Sequence, residues 1–193
     1  MGNKPVFAIE QNTEVLIDNA AITAKVAEMA RQIEADFEGE SVLLVGILKG
    51  SIHFLSDLAR HLRLDSQLDF LQASSYHGAR ETTGLVQIRK DLDINIAGLN
   101  VILVEDIVDT GTTVNHLREL LLTRKPKTLR IAALLSKPDA HRVDAQVDYV
   151  GFEIPNEFVV GYGLDYGERY RNLPYIAILR NQDDNSQPEL FAG

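Results

Sequence analysis

The chain has 193 residues, no cysteine, 45% hydrophobic residues and a formal net charge of −9. That length suits one α/β core with a small appendage. The missing cysteines exclude disulfides, a thiolate nucleophile and a zinc–thiolate site, and the negative charge disfavours a nucleic-acid partner. No apolar run approaches membrane-spanning length, and the N-terminus lacks an apolar signal region. Val6 stands where the myristoylation pattern needs Ser or Thr. The expectation is a soluble cytoplasmic protein with no membrane partner.

Taken in order, Ile22, Val26, Met29, Ala30, Ile33 and Phe37 recur at helical spacing, and Gly39 ends that helix. Residues 41–48 are a buried-strand run. Lys49, Gly50 and Ser51 then turn into a helix through Ile52, Leu55, Leu58, Ala59 and Leu62. Residues 68–73 read as the next strand. Residues 74–83 are polar and predict a mobile loop, which residues 85–89 leave as a strand. Residues 101–104 are the central strand, followed by a helix that starts at Val114 and runs to about Thr123. Residues 129–135 and 149–152 are further strands, and 158–160 and 176–179 are short ones. The segment 181–193 is polar and predicts a frayed tail.

Strands alternating with helices imply an α/β fold: a parallel twisted sheet flanked by helices on both faces. Residues 1–193 read as a single domain with its core over about 38–150. The N-terminal segment and residues from about 151 to 180 make a small cap, or hood. Ligands in such sheets sit beyond the carboxyl ends of the strands, where Lys49, Lys137 and the acidic corner after residue 104 all fall.

The segment 101–113 is the most informative in the chain. A buried strand ends in two adjacent carboxylates, Glu105 and Asp106, and a third, Asp109, follows. Asp109, Thr110, Gly111, Thr112 and Thr113 then make a turn that opens into a helix. Unpaired N–H groups at a helix start bind phosphate, and the threonine hydroxyls can donate as well. Glu105 and Asp106 would repel that phosphate, so they must read hydroxyls or hold a metal. A ribose 5-phosphate meets both demands, which leaves Asp109 as the candidate general base.

The segment resembles the phosphoribosyl-diphosphate (PRPP) motif of the phosphoribosyltransferases, whose type I members share the expected fold. Further matches run in family order from about residue 40 to 180 and resemble the hypoxanthine-guanine branch. The resemblance implies transfer of ribose 5-phosphate from PRPP to N9 of a 6-oxopurine, with Mg²⁺, in purine salvage, by a homodimer or homotetramer. Leu48, Lys49 and Gly50 match the diphosphate loop, in which the Leu-Lys peptide of relatives is often cis. Ser75 and Tyr76 match the catalytic lid. Lys137 matches the lysine that reads the purine O6, and Phe158 and Val159 match the purine clamp, which continues through Leu164 and Asp165. Glu105 and Asp106 would hold metal directly or through water or substrate, Asp165 would help hold a second Mg²⁺ on the diphosphate through bridging waters, and Arg171 would contact diphosphate.

Thr112 departs from relatives that carry a lysine there. A xanthine- or guanine-preferring transferase is the nearby alternative. An RNA-binding transcription regulator of the same fold is the distant one, and it would need a basic face that the −9 charge and the purine-type Lys137 and Phe158 argue against. A catalytically idle oligomerisation module would have no use for these charges. The five histidines show no metal spacing.

Overall fold

Apolar runs separated by a helix length cannot form hairpins, so they cross over and lie parallel. The computed structural model, which describes residues 13–75 and 86–180, has this arrangement. In chain order it contains β1 (Thr13–Ile17), α1 (Asn19–Asp36), β2 (Val42–Leu48), α2 (Ile52–His61), β3 (Ser66–Ser75) and β4 (Val86–Lys90). There follow β5 (Asn100–Val108), α3 (Thr112–Leu122), β6 (Thr128–Ser136), β7 (Tyr149–Glu153), β8 (Val159–Val160) and β9 (Ile176–Leu179).

Six strands form the main sheet in the order β4-β3-β2-β5-β6-β7. The five from β3 to β7 are mutually parallel, and β4 closes one edge antiparallel to β3. The pleat of β5 divides the core in two. Ile102 and Val104 pack with Val26, Ile33, Phe54 and Leu58 of α1 and α2. Val101 and Leu103 face the other way, with Val114, Leu117 and Leu121 of α3. A central strand buried on both faces reads as the unbroken apolar run that the sequence displays.

A second, antiparallel sheet of order β1-β9-β8 forms the hood. It joins the N-terminal segment to the C-terminal third, as expected, although β1 is not apparent as a strand in the sequence. The Tyr162 hydroxyl donates to Asp57 Oδ2 at 2.7 Å and ties this part of the chain to α2.

Most boundaries move by a residue or two, and three of the differences bear on the site. β5 does not stop at Val104 but continues through both carboxylates to Val108, because β6 pairs with it as far as Ser136. Phe158 precedes β8 rather than lying in it. Ser74 and Ser75 belong to β3 and not to the predicted loop. Tyr76 and the rest of that loop lie outside the described residues, as does the segment 181–193.

Candidate functional site

Parallel strands deliver their carboxyl ends to one edge of the sheet, so β2, β5 and β6 bring Lys49, Asp109 and Lys137 to the same side. Between β5 and α3 the chain turns through Gly111, which has a left-handed φ of 80° and stands at the N-cap of α3. Gly111 offers no capping side chain and the first turn holds no acidic residue; only the Thr110 hydroxyl reaches in, accepting from the Thr112 N–H at 3.4 Å. Glu105, Asp109, Thr110, Gly111 and Thr113 line a small cavity of about 90 Å³ over this helix start. Thr112 is not in that lining; its hydroxyl accepts from Thr110 Oγ1 at 3.3 Å.

Because both carboxylates lie inside β5, the pleat separates them. Glu105 faces the cavity at the start of α3. Asp106 faces α2, where a Cβ on Gly50 would lie 1.7 Å from its Oδ2. A Cβ on Gly163 would in turn lie 1.9 Å from the Gly50 carbonyl oxygen. Only glycine at both positions lets the Asp106 carboxylate, the turn after β2 and the turn after β8 come this close. The Leu48–Lys49 peptide in that turn is cis.

Burial pushes the Glu105 carboxyl well above the ordinary carboxylate range, and the neighbouring charge of Asp106 pushes it further. Asp106 rises to about 6, again chiefly by burial, which the Ile107 N–H and Arg171 partly offset. Glu105 Oε2 is buried and has no hydrogen-bond partner among the described residues. Such a group wants a hydroxyl donor or a hard cation. The residues at this corner therefore fit Mg²⁺. Asp165 is engaged elsewhere: Oδ1 lies 2.8 Å from Arg171 Nη2, and Oδ2 accepts from the Glu168 N–H at 2.8 Å. Among the described residues no three acids or histidines gather closely enough to hold a metal on their own. Glu105, with its unpaired oxygen, would hold the ion, and Asp106, on the other face of β5, would reach it through water or an anionic substrate.

Lys137 is 8% exposed at its side chain, and its Nζ lies 3.1 Å from Asp109 Oδ2, a carboxylate 51% exposed. Its N–H also donates to the Val108 carbonyl at 2.9 Å, fixing the backbone beside the end of β5. The expected base and the expected O6 reader are therefore one ion pair. Phe158 is 49% exposed, with its only described ring contact an edge-on approach to Tyr166 at 6.0 Å. It is not a core aromatic. Val159 and Leu164, by contrast, are buried side chains of the core.

Sequence reasoning missed Glu168. Its Oε2 lies 2.9 Å from Lys49 Nζ and 3.3 Å from Arg171 Nη2, joining the two cations assigned to diphosphate. Lys49 first, then Arg171, hold its carboxyl below the ordinary range. Arg171 also donates to the Gly163 carbonyl at 2.7 Å, while its Nε is buried without a partner among the described residues.

Residues 12–167 match the family described as the phosphoribosyl transferase domain. The chain is 48% identical over 170 residues to the hypoxanthine phosphoribosyltransferase of Salmonella typhimurium, covering 87% of this chain and 96% of that one. The crystal structure of a hypoxanthine-guanine phosphoribosyltransferase from Bacillus anthracis superimposes with a TM-score of 0.83 at 50% identity, covering 86% of this chain and 97% of that one. That of a hypoxanthine phosphoribosyltransferase from Staphylococcus aureus gives 0.87 at 45% identity, with 92% and 97% covered.

Proposed function

The chain belongs to the phosphoribosyl transferase family, in its hypoxanthine-guanine branch, and from that premise we infer what each group of the site does. The enzyme serves purine salvage: it transfers the 5-phosphoribosyl group of PRPP to N9 of a 6-oxopurine and releases diphosphate. All three relatives described are named for hypoxanthine, one of them for guanine as well, and none is named a xanthine- or guanine-preferring transferase or an RNA-binding regulator.

The 5-phosphate rests on the free N–H groups at the start of α3 and on Thr110 and Thr113. The ribose hydroxyls donate to Glu105 and Asp106, which relieves the unpaired oxygen of Glu105. Lys49 and Arg171 take the diphosphate, the latter with its planar donor fork. Glu105 and Asp106 would hold Mg²⁺ directly or through water and substrate, and the ion supplies positive charge for the departing diphosphate. Phe158 stacks on the base. Lys137 donates to the purine O6, and a 6-amino group in its place would leave that buried ammonium facing a donor. The C1–O bond to diphosphate breaks as the C1–N9 bond forms, and Asp109 takes or shares the N7 proton.

The observation that carries this reading is the Lys137–Asp109 pair beside the phosphate turn. It puts an oxo-group donor and a proton acceptor side by side. We further propose a cytoplasmic homodimer or homotetramer, which light scattering distinguishes. The functional test offers hypoxanthine, guanine, xanthine, adenine and uracil separately with PRPP and Mg²⁺, and measures nucleotide formed. Hypoxanthine and guanine should react and adenine and uracil should not; adenine turnover at a similar rate would reject the assignment to Lys137.

A further inference from the structure

The two cations that the proposed reading gives to diphosphate are not waiting free. Glu168 Oε2 accepts from both of them, at 2.9 Å from Lys49 and 3.3 Å from Arg171. Two separate parts of the chain are needed for this: the turn after β2 and the segment from Asp165 to Arg171. The backbone at Glu168 has φ 65°, a left-handed conformation unusual outside glycine, asparagine and aspartate. It is set by the two-residue turn Gly167–Glu168, closed by reciprocal backbone bonds between Tyr166 and Arg169; the Glu168 N–H also donates to Asp165 Oδ2, while Asp165 Oδ1 contacts Arg171. Glu168 itself is 64% exposed at its side chain, so no packing requires its carboxylate to point at the cations.

An anionic oxygen set between two cations does for the free enzyme what a diphosphate oxygen does for the bound one. We propose that Glu168 is a positioning residue that stands in for diphosphate: it holds Lys49 and Arg171 together and is displaced when the diphosphate group arrives. This rests on the assignment of Lys49 and Arg171 to diphosphate. The bridge has two consequences. The cations are held near the spacing at which one anionic oxygen meets both, so little side-chain freedom is lost on binding. The carboxylate also competes with the ligand, which weakens diphosphate binding and speeds product departure.

The bridge is exposed, so its effect is modest and falls with salt. Magnesium and inorganic diphosphate are titrated by calorimetry into the wild type, Glu168→Gln, Lys49→Ala and the double variant, and KM for PRPP and kcat are measured on the same preparations. Glu168→Gln should bind diphosphate about three- to ten-fold more tightly, as expected for the loss of two exposed ion pairs. KM for PRPP should fall with it, and kcat should fall rather than rise because product leaves more slowly. In the Lys49→Ala background the gain should shrink. Equal or weaker diphosphate binding by Glu168→Gln overturns the inference. So does a gain undiminished without Lys49, which would mean long-range charge and not the bridge. If Lys49→Ala alone leaves diphosphate affinity unchanged, the underlying assignment fails and the bridge with it.

Discussion

The two ends of the main sheet carry similar residues in opposite states. At the amino end, Glu40 Oε2 accepts from Asn100 Nδ2 and from Lys127 Nζ, both at 2.5 Å. Asn100 Nδ2 also donates to the Ser41 carbonyl at 3.1 Å, and the Thr128 hydroxyl donates to Asn100 Oδ1 at 3.1 Å. Each polar group of this network has a partner, beside a cavity of about 440 Å³. At the carboxyl end the cavity over the phosphate turn is about 90 Å³, yet Glu105 Oε2 and Arg171 Nε are buried without partners among the described residues. Cavity size does not mark the functional end. Polar groups left for a ligand to satisfy do.

If that contrast is right, substitutions at the two ends should separate chemistry from stability. The largest kinetic effect is expected at Asp109. Asp109→Asn keeps the shape but accepts no proton, so kcat should fall by about 10²–10⁴ while PRPP binding is nearly kept. Turnover within a few-fold of wild type would remove it as the base.

Lys137→Ala comes next. Loss of a charge-assisted hydrogen bond corresponds to about one to two decades in kcat/KM for hypoxanthine and guanine, and their lead over adenine should narrow. Asp109 also loses its ion-pair partner in this variant, so part of the fall should appear for every base. Only the change in the oxopurine-to-adenine ratio reports on reading of O6, and an unchanged ratio would make Lys137 a structural lysine.

The smallest kinetic effect belongs to the amino end. Asn100→Ala removes a buried amide that links Glu40, Ser41 and Thr128, and should lower unfolding free energy by about 1–2 kcal/mol. Its kcat/KM at a temperature where the variant is folded should match wild type. A kinetic defect there would mean that the amino end takes part in function and that the contrast is false.

Much of this site was legible because its chemistry is local in sequence. Residues 101–113 declare a strand, acids, a turn and a helix in one stretch, and the backbone follows that order. Phe158 and Lys137 were identified through resemblance, since an aromatic or a lysine near a strand says little alone. What failed to show depends on contacts between distant residues. β1 is half-exposed and takes its meaning from β9, over 150 residues later. The strand character of Glu105 and Asp106 comes from pairing with β6, not from their own β propensity. Glu168 looks like a surface acid until the turn after β2 brings Lys49 to it.

The most direct test of the contrast is urea unfolding of Glu105→Gln with and without PRPP and Mg²⁺. Replacing a buried carboxyl that carries an unpaired oxygen with a neutral amide should raise the free protein's stability, a gain obtained by giving up function. The added stability that ligand gives the wild type should largely vanish in the variant, because binding enters as RT ln(1 + [L]/Kd). A variant that is less stable alone, yet gains as much from PRPP as the wild type, would contradict the account.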